Sequence, residues 1–120
     1  MSLANRLGVK GERVAEQYMR SLGAKVLARN FRCRGGEIDL VIEHDSDLVA
    51  VEVKTRTQGG LGRPEDALAW WQLKRLAYSL AVFASATNHP ECGWRIDAVV
   101  VDVDLGGRVT RVEHFANIYA

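Results

Sequence analysis

The sequence predicts a mixed α/β fold, a central β-sheet flanked by helices in the order α-β-β-β-α-β-β. Three observations predict it. Two alternating, β-branched runs close around a short polar tetrapeptide, two segments carry apolar residues at helical spacing, and two further β-branched runs are joined by Gly106 and Gly107.

Ser2 suits the cap of a first helix in which Leu3, Leu7, Val14, Tyr18 and Leu22 supply apolar positions; Gly8 and Gly11 are expected to weaken its early turns, and Gly23 to end it. A short strand is expected over Ala24 to Arg29. The runs Glu37 to Glu43 and Leu48 to Thr55, separated by His44, Asp45, Ser46 and Asp47, read as a hairpin. Thr57 to Arg63, with three glycines, reads as a flexible loop, and Pro64 suits the first turn of a long helix ending near Ala86. In that helix Ala69, Leu73, Leu76, Ala77, Leu80, Phe83 and Ala84 form a core stripe, with Trp71, Lys74, Arg75 and Tyr78 on the opposite side. Two strands over Trp94 to Val103 and Val109 to Phe115 close the chain.

The chain has 120 residues, 48% of them apolar and 26% charged, which fits one domain over residues 1–120 and argues against whole-chain disorder. No apolar run approaches the roughly 20 residues that span a bilayer. Met1 to Gly23 interleaves charges with apolar residues, unlike the apolar block of a signal peptide, so a cytoplasmic location without membrane partners is expected. Cys33 and Cys92 form no CxxC pair and read as reduced thiols. The net charge of +1 conceals an asymmetry: residues 1–34 hold eight Lys or Arg against Glu12 and Glu16, so positive charge is gathered at one end of the chain. A polyanion could dock there, or the arginines could simply solvate a helix and strand.

The hairpin carries the chemistry. Period-two alternation puts Ile38, Leu40 and Ile42 on one face of the first strand and Glu37, Asp39, Val41 and Glu43 on the other; in the second strand Val49, Val51 and Val53 oppose Leu48, Ala50, Glu52 and Lys54. A turn closing on Glu43 and Leu48 sets Asp39 opposite Glu52 and Glu37 opposite Lys54. Opposed residues lie roughly 4.5–5.5 Å apart at Cβ, so Asp39 and Glu52 could share one divalent ion. Like charges side by side in a sheet repel, and a bound cation removes the conflict. Mg²⁺ is commonly held by one or two carboxylates plus substrate phosphate, which suits metal-assisted phosphodiester hydrolysis, with Lys54 beside the attacking water or the developing charge. The competing reading is a solvated face on which Glu37 pairs with Lys54.

Gly35-Gly36-Glu37-Ile38-Asp39-Leu40-Val41 followed by Val51-Glu52-Val53-Lys54-Thr55-Arg56 resembles the signature of the YraN-like family of predicted endonucleases, within the PD-(D/E)xK superfamily that includes Holliday junction resolvases. The likeness extends to Gly11-Glu12, Arg29-Asn30-Phe31-Arg32, Lys74-Arg75-Leu76 and Arg95-Ile96-Asp97-Ala98-Val99. It implies a restriction-endonuclease-like sheet and a Mg²⁺- or Mn²⁺-dependent endonuclease acting on DNA, with branched or structured DNA as the expected form; the alternative is a catalytically silent nucleic-acid-binding module with the same fold. It also implies that Asp39 and Glu52 are metal carboxylates, the Val53 carbonyl a further ligand, Lys54 the motif lysine and Glu12 the helix glutamate, with Glu16 one turn later as a substitute. Ile38 stands where superfamily members often carry Pro. Arg29, Arg32, Arg34, Arg56 and Lys74 are the candidate DNA contacts, and a homodimer is an expectation taken from the relatives. His44 reads as a polar turn residue, Asp97 as one half of a salt bridge, and Trp71 as either an exposed contact or a residue packed beneath the glycine-rich loop.

Overall fold

The computed structural model describes residues 2–57, 69–89 and 93–119. The observed order is α1 (Leu3–Ser21), β1 (Lys25–Cys33), β2 (Gly36–His44), β3 (Asp47–Thr57), α2 (Trp70–Ala86), β4 (Gly93–Val103) and β5 (Val109–Phe115). The strands form one five-stranded sheet in the spatial order of the chain. All neighbours are antiparallel except β3 and β4, which run parallel, with α2 lying in the connection between them. A parallel pair needs such a long crossover, which here covers one face of the sheet while α1 covers the other.

Two apolar clusters follow from those layers. Ala15 and Met19 of α1 pack with Leu40, Ile42, Val49, Val51, Val99 and Val101, and Leu76, Leu80 and Phe83 of α2 pack with Ile38, Val41, Leu48, Ala50 and Ile96. Coverage on both faces explains a departure from the expected alternation. Val41 does not share a charged face with Glu37, Asp39 and Glu43; it is fully buried on the α2 side. In β3, Leu48 to Val51 are all buried and every residue from Glu52 to Arg56 is partly open. Charge is therefore segregated along the strand instead of across it.

The local elements have local causes. Ser2 Oγ accepts from the Asn5 N–H at 3.1 Å and caps α1, and Gly23, at φ +91°, ends it. Neither Gly8 nor Gly11 interrupts the helix. Gly11 serves contact instead: a Cβ there would collide with Thr55 Oγ1 and stand 3.1 Å from Thr55 Cβ, so glycine lets α1 settle directly on β3. The hairpin turn has two residues, not four: Asp45 and Ser46 both take positive φ, and His44 pairs with Asp47. The register is the expected one, with Glu43 opposite Leu48. β1 runs on to Cys33, past the expected end at Arg29. Along α2 the stripe from Leu73 to Ala84 faces the sheet, whereas Ala69 is the exposed N-cap residue and Ser79 joins the buried side. The glycine-rich segment and the helix start expected at Pro64 fall on 58–68, outside the described residues, as do Trp71's packing against that segment and Cys92. No helix among the described residues is long and apolar enough to cross a membrane.

One buried polar knot ties β4 to β5, the hairpin turn and the end of α1. Asp97 is fully buried; its carboxylate accepts from Arg95 Nε at 3.0 Å and Nη2 at 3.2 Å and from the Asn117 N–H at 3.0 Å, and meets His114 Nε2 at 2.8 Å. Arg95 Nη2 also meets His44 Nδ1 at 2.8 Å, and His44 Nε2 reaches the Leu22 carbonyl at 3.2 Å. His44 is thus not a merely polar turn residue, because it links the hairpin turn, the end of α1 and β4. Burial alone would raise the Asp97 pKa, but the hydrogen bonds from His114, Arg95 and Asn117 outweigh it and hold the carboxyl below its ordinary range.

Two stability predictions follow from this packing. Gly11→Ala should destabilise by about 1–3 kcal/mol in urea unfolding, the range for overpacking, although alanine is the better helix former by about 1 kcal/mol. The loss should shrink on a Thr55→Ala background; a stabilised Gly11→Ala protein would contradict the close contact. Asp97→Ala removes the buried carboxylate shared by Arg95, His114 and the Asn117 N–H and, with Arg95 keeping its 3.6 Å pair to Asp47, should cost up to about 3–5 kcal/mol. Because the folded Asp97 pKa lies below the unfolded value, its contribution is full above about pH 4 and is lost as pH falls through the folded pKa. Asp97→Asn should therefore flatten the acid limb of the stability curve, and an unchanged acid limb would contradict that assignment.

Candidate active site

The hairpin ladder runs from His44 opposite Asp47 to Leu40 opposite Val51 and stops there. At the next position Asp39 intervenes, its Oδ2 accepting the Val53 N–H at 2.8 Å. A side-chain oxygen thus takes the place of a backbone carbonyl, and β2 and β3 part beyond it. On the other side of β2, the pairs Arg29 with Leu40 and Phe31 with Ile38 set Asn30 opposite Asp39. Asn30 takes φ +51°, a left-handed conformation that asparagine tolerates better than most residues. Around this irregularity the face alternation breaks: Ile38 packs on the α2 side and Leu40 on the α1 side.

β3 meanwhile stays paired to β4 through Thr57, with Glu52 opposite Ala98 and Lys54 opposite Val100, so both side chains project from a held strand. Lys54 Nζ lies 3.6 Å from Glu52 Oε1. The expected pairing of Glu37 with Lys54 does not form, because the hairpin has already opened; Glu37 lies 3.7 Å from Arg32 instead. Burial and the Asp39 charge push the Glu52 pKa up to about 7, with Lys54 pulling the other way. Burial also raises Asp39, opposed by the Val53 N–H. Glu12 is brought to the same place by α1: burial, Asp39 and Glu37 raise its pKa, against a hydrogen bond with Asn30. Glu16 is engaged elsewhere, bound by Arg29 at 2.6 and 2.7 Å and by Arg20 at 3.1 Å, which lowers its pKa despite some burial.

The candidate DNA contacts are spread out. Arg29 is spent largely on Glu16, and Arg32 leans toward Glu37. Arg56 grips Asp102 at 2.8 and 3.2 Å. Arg34 is exposed in the turn between β1 and β2, and Lys74 stands 5.1 Å from the Trp70 ring centroid on the outer face of α2. A cleft of about 400 Å³ between α1 and the sheet is lined by Glu12, Arg13, Arg20, Arg29 and Asp39, among others. A second cleft, on the α2 side, contains Glu37, Glu52, Trp71 and Arg75. The sequence reading missed this second cleft and the kink at Asn30; the only signal for the kink was a poor strand former between Arg29 and Phe31.

Among the described residues no cluster of three or more His, Cys, Asp or Glu side chains has metal-binding geometry. The donor set is smaller: two carboxylates close enough for one to raise the other's pKa, with the Val53 peptide beside them. It fits a hard divalent cation, which prefers oxygen ligands and would favour the ionised form of Glu52.

Comparison with known proteins agrees with the motif. Residues 11–101 match the family described as Uncharacterised protein family UPF0102. The chain is 37% identical to a UPF0102 protein of Geobacter metallireducens over 99% of this chain and 97% of that one. It is 40% identical to a UPF0102 protein of a Parafrankia species over 95% and 96% of the two chains, and 39% identical to one of Roseiflexus castenholzii over 91% and 89%. The matched span holds Glu12, Asp39, Glu52 and Lys54, and the chain belongs to the UPF0102 family, the YraN-like family its hairpin motif resembles.

Proposed function

We propose that the protein is a divalent-metal-dependent endonuclease acting on DNA, with Asp39, Glu52 and Lys54 at its centre and Glu12 beside them. One observation carries the reading: two partly buried carboxylates and a lysine meet where an otherwise regular hairpin opens, and one of the carboxylates has its pKa pushed up to about 7. A purely structural strand has no use for that arrangement. The restriction-endonuclease-like fold implied by the motif is compatible with the mixed sheet and its two covering helices.

Asp39 would be a metal ligand held in place by the Val53 N–H, Glu52 a second, and the Val53 carbonyl a third. Mg²⁺ or Mn²⁺ bound there would supply Lewis-acid polarisation of the phosphodiester and a more acidic water. Lys54, freed from Glu52, would orient the attacking water or neutralise charge gathering on phosphorus. Arg13 in the cleft beside Asp39 offers a donor for a flanking phosphate, Arg20 and Arg29 would do so on release from Glu16, and Arg34 and Lys74 are outlying contacts.

Incubating labelled four-way, flap and duplex DNA with the protein in Mg²⁺ or Mn²⁺ tests this directly. Cleavage is expected from wild type and from neither Asp39→Asn nor Lys54→Ala. In metal calorimetry Asp39→Asn should lose Mg²⁺ binding while Lys54→Ala keeps it; equal affinity in wild type and Asp39→Asn would remove the site. Binding of DNA without cleavage would leave a silent nucleic-acid-binding module.

A pH effect follows from Glu52. Its folded pKa is raised from 4.5 to about 7, so between those values the folded protein holds a proton that the unfolded chain has released. The metal-free protein should lose stability as pH rises through that window, and Glu52→Gln should reduce the loss, leaving the smaller part that the raised Asp39 and Glu12 contribute. Thermal melts across the window check both, and a wild-type stability that rises there would contradict the assignment.

A further inference from the structure

The cleft on the α2 side opens directly onto Glu52, and its chemistry differs from that of the arginine-bearing cleft beside Asp39. It has a volume of about 170 Å³ and includes Trp71, Gln72, Arg75 and Leu76 from α2 and Glu37 and Glu52 from the hairpin. Trp71 is 50% exposed, and the Arg75 guanidinium stands 5.9 Å from its ring centroid. Arg75 Nε also donates to the Gly35 carbonyl at 3.2 Å, which fixes the side chain against the turn between β1 and β2. Gly35 lies so close to the Tyr78 ring that a Cβ there would collide with it, so this turn is seated on α2.

The cleft leaves a large aromatic half uncovered over an apolar floor at Leu76, and its one cation, Arg75, is turned to the Gly35 carbonyl and the Trp71 ring, so that without a metal the rim carboxylates Glu37 and Glu52 disfavour a phosphate within it. These features suit a nucleobase. A base offers a π-face to tryptophan and exocyclic amino groups that a carboxylate such as Glu37 can accept. A base inside a duplex presents neither its face nor its Watson–Crick edge, so an occupant must be unpaired.

We infer that this cleft receives one unpaired nucleobase of a DNA strand, stacked on Trp71, next to the phosphate at Asp39 and Glu52. The inference rests on the nuclease reading for the position of the phosphate and adds the substrate class: DNA with a single-stranded nucleotide at the cleavage point, in preference to intact duplex. Trp71 acts as the specificity-determining contact, and Arg75 holds its ring in place.

The test uses 2-aminopurine, whose fluorescence is quenched by stacking, placed at the unpaired position of a one-nucleotide gapped duplex and in a fully paired duplex, without metal. Wild type should bind the gapped DNA and quench it. Trp71→Ala should bind it roughly 5- to 150-fold more weakly, the range that base–aromatic stacking sustains, while Trp71→Phe recovers much of the affinity and Trp94→Ala binds as wild type. Free deoxyadenosine monophosphate should fail to displace the gapped DNA at equal concentration. The inference is overturned if gapped and paired duplex bind wild type equally, if Trp71→Ala binds as wild type, or if the free nucleotide displaces the DNA. Because no metal is present, a protein that stacks the base yet never cleaves would defeat the nuclease reading alone.

Discussion

The hydrogen bond from the Val53 N–H to Asp39 Oδ2 organises this molecule's polar end. Each strand of a hairpin normally satisfies its donors with the partner's carbonyls, and here a side chain does so instead. The substitution costs little in hydrogen bonding, because the Val53 donor remains paired. Its geometric consequence is large. β2 leaves β3 after Leu40, while β3 stays zipped to β4 as far as Thr57, so Glu52 and Lys54 stand on a held strand beside a gap. The same bond orients the Asp39 carboxylate and partly offsets the burial that raises its pKa.

The rest of the fold supplies the walls of that gap. α1 approaches closely only because Gly11 has no side chain to strike Thr55, and that approach carries Glu12 into the field of Asp39. α2 brings Trp71 and Arg75 to the opposite side, beside Glu52. Lys10 Nζ bonds the Gly107 carbonyl and ties α1 to the β4–β5 turn. The knot around Asp97 lies opposite Val51, one register position from Glu52, and reaches through Arg95 and His44 to the hairpin turn and the end of α1. Apolar packing is concentrated in the two clusters, and like charges are crowded where the hairpin opens.

Much of this was legible in the residues. The hairpin register followed from a turn closing on Glu43 and Leu48, and it put Asp39, Glu52 and Lys54 at one place. The core stripe of α2 followed from its spacing. What escaped was set by tertiary context. Strict alternation assigned Val41 to a charged face because a single strand cannot reveal that helices will cover both sides. The pairing of Glu37 with Lys54 assumed that the ladder continues, whereas Asp39 ends it. Gly11 read as a helix weakness because the strand that needs its absent side chain lies 44 positions away in the chain. His44 and His114 looked scattered, and only the sheet brings both to the Arg95–Asp97 pair.

The proposed role of the hairpin's open end depends on Glu52 being an acid that a divalent cation would ionise. Following the side-chain carboxyl carbon of Glu52 by NMR through a pH titration, with and without Mg²⁺, measures that directly. The midpoint should lie near 7 without metal, where burial and Asp39 place it, and fall well below that in saturating Mg²⁺. A midpoint that Mg²⁺ leaves unmoved would contradict a metal site at Asp39 and Glu52.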